Sequence, residues 1–207
     1  MAELTVNQLP QSEKKIFKNI NKLNLLNNFT LNYKFPTDID VKNVLDIMNE
    51  YSNDDKIFIA SHYDNILDKF MSKYFNWKEF NSIEYDKILL DLEYINNIIN
   101  YFVFKYKIFY NSPRPFQIAN TYDIELYPVN LLSANTPSFP SGHSAIYYAY
   151  YLYFKTIDKN NNYEDILYNG RISRIIGGLH FLQDDEFSIK LVNEIFKRDQ
   201  NLKIYKY

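Results

Sequence analysis

Five of the seven prolines fall between residues 111 and 140, at positions 113, 115, 128, 137 and 140. Proline removes a backbone donor and clashes with the preceding turn, so no long helix runs through this stretch. The segment is expected as a long loop held by local contacts, of the kind that is usually functional when ordered. On both sides of it apolar residues recur at helical spacing, and strand-like alternation is almost absent. The chain is therefore expected to be all-α, a compact helical bundle.

Upstream, Thr37 with Asp40 three residues on resembles a capping arrangement, although the usual partner is Glu or Gln. Val41, Leu45, Met48 and Ile57 then predict one amphipathic run reaching Ser61. Ser82 is expected to cap the next helix, in which Ile88, Leu92, Ile95, Ile99 and Phe102 keep helical spacing. That helix delivers Lys107 from its C-terminal end. Downstream, the pattern predicts a helix from Ser141 through Tyr153, a polar connection over 158–163, and helices over 164–180 and 185–197. With 207 residues and no repeat or clean linker, residues 1–207 are expected to form a single domain.

Charge and composition exclude several classes of function. The formal net charge is -2 and there is no basic tail, so nucleic acid is not an expected partner. A small anionic substrate needs only a local positive pocket. The chain has no cysteine, hence neither a disulfide nor a thiolate nucleophile, and its three histidines are too few and scattered for a usual zinc site. The N-terminal residues lack the basic start and apolar core of a signal peptide, and no stretch reaches the roughly 18 apolar residues of a membrane span. A cytoplasmic location is the default expectation. Asn28-Phe29-Thr30 is a glycosylation acceptor pattern, expected to go unused without export. His62 stands outside every motif and is expected to be a surface or core residue.

Three short blocks carry the chemistry. In the first, Lys107 and Arg114 are seven positions apart, and Pro113 can turn the chain so that both cations face one anion. Arginine presents a fixed fork to two phosphate oxygens, whereas lysine adds a mobile point charge. In the second, Pro140-Ser141-Gly142-His143 precedes an apolar helical run. Ser141 is the natural N-cap, Gly142 permits close backbone approach, and the first-turn N–H groups attract an anion. An ordinary helix start reads the same way, but His143 sits within reach of the leaving-group oxygen of a phosphate held at that helix end, as a general acid. In the third block, Arg174 supplies another cation and Asp184 lies four residues after His180. The carboxylate can accept a proton from one imidazole nitrogen and leave the other to attack phosphorus. A purely structural His-Asp pair is the alternative. Asp185 is a second candidate for the orienting carboxylate, and Ser173 either donates to phosphate or caps local backbone.

Taken together, these blocks resemble the type 2 phosphatidic acid phosphatase (PAP2) superfamily, which also contains soluble bacterial non-specific acid phosphatases and vanadium haloperoxidases. The family pattern is met by Lys107, Arg114 and Pro115, by Pro140 to His143, and by Ser173, Arg174, His180 and Asp184. The resemblance implies a soluble all-helical bundle without transmembrane helices and a phosphoenzyme intermediate on His180. It further implies phosphate binding by Lys107, Arg114, Ser141, Gly142 and Arg174, with His143 protonating the departing group. Hydrolysis of a small phosphomonoester or a diphosphate, with no metal or other cofactor, is the activity expected. The alternatives are a vanadate-dependent haloperoxidase and a non-catalytic protein with a vestigial phosphate pocket. One departure follows the third block: relatives often continue into small residues such as Ala-Gly, whereas this chain has Asp185-Glu186-Phe187-Ser188. Packing of that helix is expected to differ.

Overall fold

The computed structural model describes residues 33–76 and 81–199, together with Leu26, Phe29, Asn201 and Leu202. Among them are eight α-helices: α1 (Asp38–Asn49), α2 (Asn53–His62), α3 (Ile66–Phe75), α4 (Ser82–Tyr110), α5 (Pro115–Ile118), α6 (Gly142–Ile157), α7 (Glu164–Ile176) and α8 (Leu182–Arg198). The fold is all-α, and no helix among the described residues is long and apolar enough to cross a membrane. Asn28 and Thr30 of the acceptor pattern lie outside the described residues.

Local chemistry explains most helix boundaries. The Asp40 carboxylate accepts the Thr37 backbone N–H at 2.7 Å and the Thr37 hydroxyl at 2.9 Å, which starts α1. The run expected over 41–61 is two helices, not one. Ser52 interrupts it, because its hydroxyl accepts the Asp55 N–H at 3.2 Å and caps α2. Ile57, which the single run would bury, is exposed, and Ala60 is the buried residue of α2. The cap of α4 is Asn81 rather than Ser82: its side-chain oxygen accepts the N–H groups of Ile83 at 3.0 Å and Glu84 at 3.3 Å.

Within α4 the residues Ile88, Leu92, Ile95, Ile99, Phe102 and Tyr106 form one buried stripe with alternating steps of four and three. Lys107 is in its last turn. Asn111 ends the helix in the left-handed region at φ 43°, which asparagine tolerates, and donates to Lys107 O at 2.9 Å.

The middle of the bundle is α6, whose Ala145, Ile146, Tyr147, Ala149, Tyr150, Leu152, Tyr153 and Phe154 are all buried. A helix apolar on every side is stable only when surrounded, and α3, α4, α7 and α8 pack around it. The closest approach is to α7. A Cβ on Gly170 would stand 2.2 Å from the Tyr147 ring, so only glycine allows these helices to come together as they do. A second apolar cluster joins Val41, Val44 and Met48 of α1 to Ile118, Ala119 and Leu126 of the proline-rich segment and to Ile175 and Phe181.

That segment contains only α5 and two 3-10 turns, Ala119–Tyr122 and Leu132–Asn135. It is tied down by Ser138 N–H to Ser112 O at 2.9 Å, Val129 N–H to Gly177 O at 2.9 Å, and Tyr122 Oη–H to Pro36 O at 3.2 Å. Its aromatic residues pack. Phe139 is buried with ring centroids 4.4 Å from Phe187, 4.7 Å from Tyr33 and 5.3 Å from Tyr110, while Phe116 and Tyr122 lie against the second cluster. The helix expected to continue to 180 stops at Ile176, where Gly177 and Gly178 form a turn with Gly178 at φ 70°. The last helix accordingly begins at Leu182 and not at 185.

Candidate active site

His180 and Asp184 meet across a helix start, not along one helix face. His180 lies in the turn before α8, and Asp184 is three residues past the N-cap Phe181, whose N–H it accepts at 2.9 Å. His180 Nδ1 is 3.1 Å from Asp184 Oδ2, and His180 Nε2 is 3.2 Å from the Arg114 guanidinium. Arginine can only donate, so Nε2 is an acceptor and Nδ1 carries the hydrogen toward Asp184. These two partners fix the tautomer.

Arg114, 2% exposed, is itself anchored by donation to Thr136 O at 2.9 Å and Leu179 O at 2.7 Å. Lys107 donates to Pro137 O and, at 3.3 Å, to Ser138 O. The three consecutive carbonyls before Phe139 therefore hold both cations of the first block, a use of the proline-rich segment that no sequence motif announces. Ser138 also contributes its side chain: the hydroxyl donates to Asp184 Oδ2 at 2.5 Å and lies 3.4 Å from His180 Nδ1.

The second histidine is held by its other nitrogen. Arg174 Nη2 donates to His143 Nδ1 at 3.0 Å, which places the hydrogen of the neutral ring on Nε2. His143 Nε2 is buried and has no hydrogen-bond partner among the described residues. The same Nη2 is paired with the Asp64 carboxylate, and Nη1 donates to Ala60 O at 3.2 Å. Tyr147, one turn on from His143, covers its ring at 4.9 Å and donates to Tyr63 O at 2.9 Å. Neither Asp64 nor Tyr63 carries a sequence signal, and Asp64 is 110 positions from Arg174.

Ser141 caps α6, its Oγ accepting the Ser144 N–H at 3.3 Å, and its own N–H donates to Asp184 O at 3.2 Å, which couples the two halves. Gly142 opens that helix, with a Cβ there only 3.3 Å from Val103. Ser173 donates to Gly170 O at 2.7 Å, so in this structure it serves local backbone. Asp185 does not orient His180. It forms a two-pronged pair with Arg171 at 2.9 and 2.6 Å. In the departure after Asp184, Phe187 fills space against Phe139, and the Ser188 hydroxyl lies 2.7 Å from both Ser141 O and Asp184 O. His62 is exposed, stacked on Phe58 at 5.3 Å and outside the site.

Burial dominates the electrostatics. It pushes the His180 imidazole well below its ordinary pKa, and Arg114, Lys107, Arg174 and His143 all add repulsion, so these groups share one field. His143 is held well below for the same reason, with Arg174 adding to it and the Tyr63 carbonyl opposing. Burial together with the nearby Arg114 also lowers Lys107 well below its usual value, against the pull of Asp184. Arg114 falls to about 10, still a cation at neutral pH. Burial raises Asp184 to about 6 despite donation from Ser138 and Phe181 and the charges of Lys107 and Arg114, so at neutral pH it is a carboxylate. Among the described residues no three His, Cys, Asp or Glu side chains come together as a metal cluster.

An all-helical protein with a buried histidine and a half-buried one, each accepting from its own arginine, and with a buried lysine beside the first, defines a narrow class. The model of the PAP2 superfamily matches residues 89–189. The crystal structure of the first bacterial vanadium-dependent iodoperoxidase is similar at a TM-score of 0.58 and 17% identity, over 78% of this chain and 49% of that one. The chain thus spans about half the length of that protein, and the likeness is one of fold. No curated protein matches the chain. The chain therefore has a PAP2-type fold, related to that of the haloperoxidase.

Proposed function

We propose that this chain, acting as one PAP2-like domain, hydrolyses a phosphate ester through a phosphohistidine intermediate on His180 and without a metal. The observation that carries this reading is the double constraint on His180: Asp184 takes Nδ1–H, and Nε2 keeps a lone pair beside Arg114. A neutral, oriented imidazole is a ready nucleophile. The substrate is a small phosphomonoester or a diphosphate.

The phosphoryl group is held by Lys107, Arg114 and Arg174 together with Ser141, Gly142 and the first N–H groups of α6. Nε2 of His180 attacks phosphorus in line, the bond to the leaving oxygen breaks, and that oxygen takes a proton from His143 Nε2. Water then gives a proton to His143 and attacks the same phosphorus, releasing phosphate and restoring His180. His143 must be an imidazolium in the first step, whereas burial keeps it neutral. A bound dianion reverses that preference, because a nearby negative charge favours the protonated ring and draws Arg174 toward itself. Proton uptake at His143 is thus coupled to substrate binding, and the activity favours mildly acidic to neutral pH.

The decisive experiment is rapid-quench labelling with a radiolabelled phosphomonoester, followed by peptide mapping. Label on His180, turnover that survives exhaustive chelation, and competition by orthovanadate are expected. Label on another residue, or activity lost to EDTA and restored by magnesium or zinc, overturns the mechanism. Vanadate-dependent halide oxidation without phosphate release would replace the reading with a peroxidase.

A further inference from the structure

We infer that Asp64 is a positioning residue of this site, holding the Arg174 guanidinium against His143; the inference rests on the phosphatase reading above. Three of the five N–H groups of Arg174 are taken by Asp64, Ala60 O and His143 Nδ1, which leaves two for an anion. The guanidinium side chain is 2% exposed and the Asp64 carboxylate 50%. A buried cation is thereby tethered to an anion that remains hydrated, so Asp64 orients the arginine without itself needing to be desolvated.

The last turn of α2 and the turn that follows it point the same way. Ala60 O holds Nη1, Tyr63 O anchors Tyr147 over the His143 ring, and Asp64 holds Nη2. All three residues lie before position 89, where the match to the family model starts. Loss of any one would shift the arginine or the histidine relative to the other, and misplacement by about 1 Å costs roughly a hundredfold in rate.

Asp64 also sets the field at His143. The groups facing that ring are Arg174 from α7, the Tyr63 carbonyl from the α2–α3 turn, Tyr147 on α6, and His180 from the turn before α8, while Asp64 acts on it through its pair with Arg174. Lys107 of α4 and Asp184 of α8 lie on the His180 side. Neutralising Asp64 leaves Arg174 less compensated and makes imidazolium harder to form. Activity that requires protonated His143 is lost as pH rises through its pKa, so the alkaline limb should move to lower pH.

The test compares wild type with Asp64→Asn and Asp64→Glu in kcat and KM across pH, using an unactivated phosphomonoester. Asp64→Asn is expected to lose on the order of tenfold or more in kcat/KM and to shift the alkaline limb downward, with Asp64→Glu recovering most of both. Wild-type kinetics in Asp64→Asn would overturn the proposal, as would equal losses in both variants with an unmoved limb. The imidazole NMR spectrum provides a second reading that needs no turnover, because the chain has only three histidines. Failure of the wild type to cleave any ester would reject the phosphatase reading. The Asp64 assignment would then stand or fall on whether Asp64→Asn changes the His143 tautomer signature and the affinity for inorganic phosphate.

Discussion

Both site histidines accept a hydrogen bond from an arginine, but on different nitrogens and from differently built surroundings. His180 takes it on Nε2 from Arg114, which donates to Thr136 O, and its Nδ1 faces Asp184 and Ser138, so every partner comes from residues 107–184. His143 takes it on Nδ1 from Arg174, which leans on Ala60 and Asp64 far upstream. The first arrangement has a lone pair beside the cations and suits attack. The second keeps an Nε2 with no hydrogen-bond partner among the described residues, the side that suits proton transfer in the proposed mechanism. In the proposed mechanism one residue type takes two roles because its neighbours choose which ring nitrogen stays free.

The largest effect should separate those roles outright. His180→Ala is expected to lose on the order of 10⁴-fold or more in turnover and all covalent labelling, as seen by quench-flow. His143→Ala should cost about 10² to 10⁴ with poor leaving groups and far less with activated aryl phosphates. Equal losses along a leaving-group series would erase the distinction between the two rings. Next come the cations: alanine at Lys107, Arg114 or Arg174 should each weaken vanadate inhibition by about 2 to 5 kcal/mol. Unchanged inhibition in all three would move the anion elsewhere.

Smaller effects test the supports. Ser138→Ala removes one donor to the buried Asp184 carboxylate and should cost about 1.5 to 3 kcal/mol in a urea melt. The pH dependence of stability sharpens the comparison furthest. Both imidazoles have pKa values depressed by folding, so below pH ~6.5 the unfolded chain takes up protons that the folded one refuses, and stability falls as pH drops. Each histidine contributes up to about 1.4 kcal/mol per pH unit. Asp184, raised to about 6, works in the opposite direction between roughly pH 6 and 4, because there the folded chain holds the extra proton. Replacing either histidine with an apolar ring should remove about half of the slope just below 6.5.

What could be read from the sequence follows the same division. The stripe of α4 and the wholly apolar α6 were legible because burial writes a period into the residues. The three motif blocks were legible because residue type and spacing are chemical requirements. The break at Ser52 was not, since one capping hydroxyl outweighs an apolar run that appears continuous. Nor was the choice of Asp184 over Asp185, which turns on Arg171 claiming the second carboxylate from a neighbouring helix. Ser138 and Thr136 hide in a run where backbone carbonyls matter as much as side chains. Asp64 is invisible because only tertiary packing brings it to Arg174.

Gly170 bears no charge and touches no substrate atom, yet it governs the tolerance to which this machinery is assembled. His143 rides on α6 and Arg174 on α7, and the two helices meet where the missing Cβ would strike Tyr147. The clearance between His143 and Arg174 is thus gauged by a single hydrogen atom. A methyl group at that position acts as a shim, prising the two helices apart and detuning chemistry that every active-site residue is still present to perform.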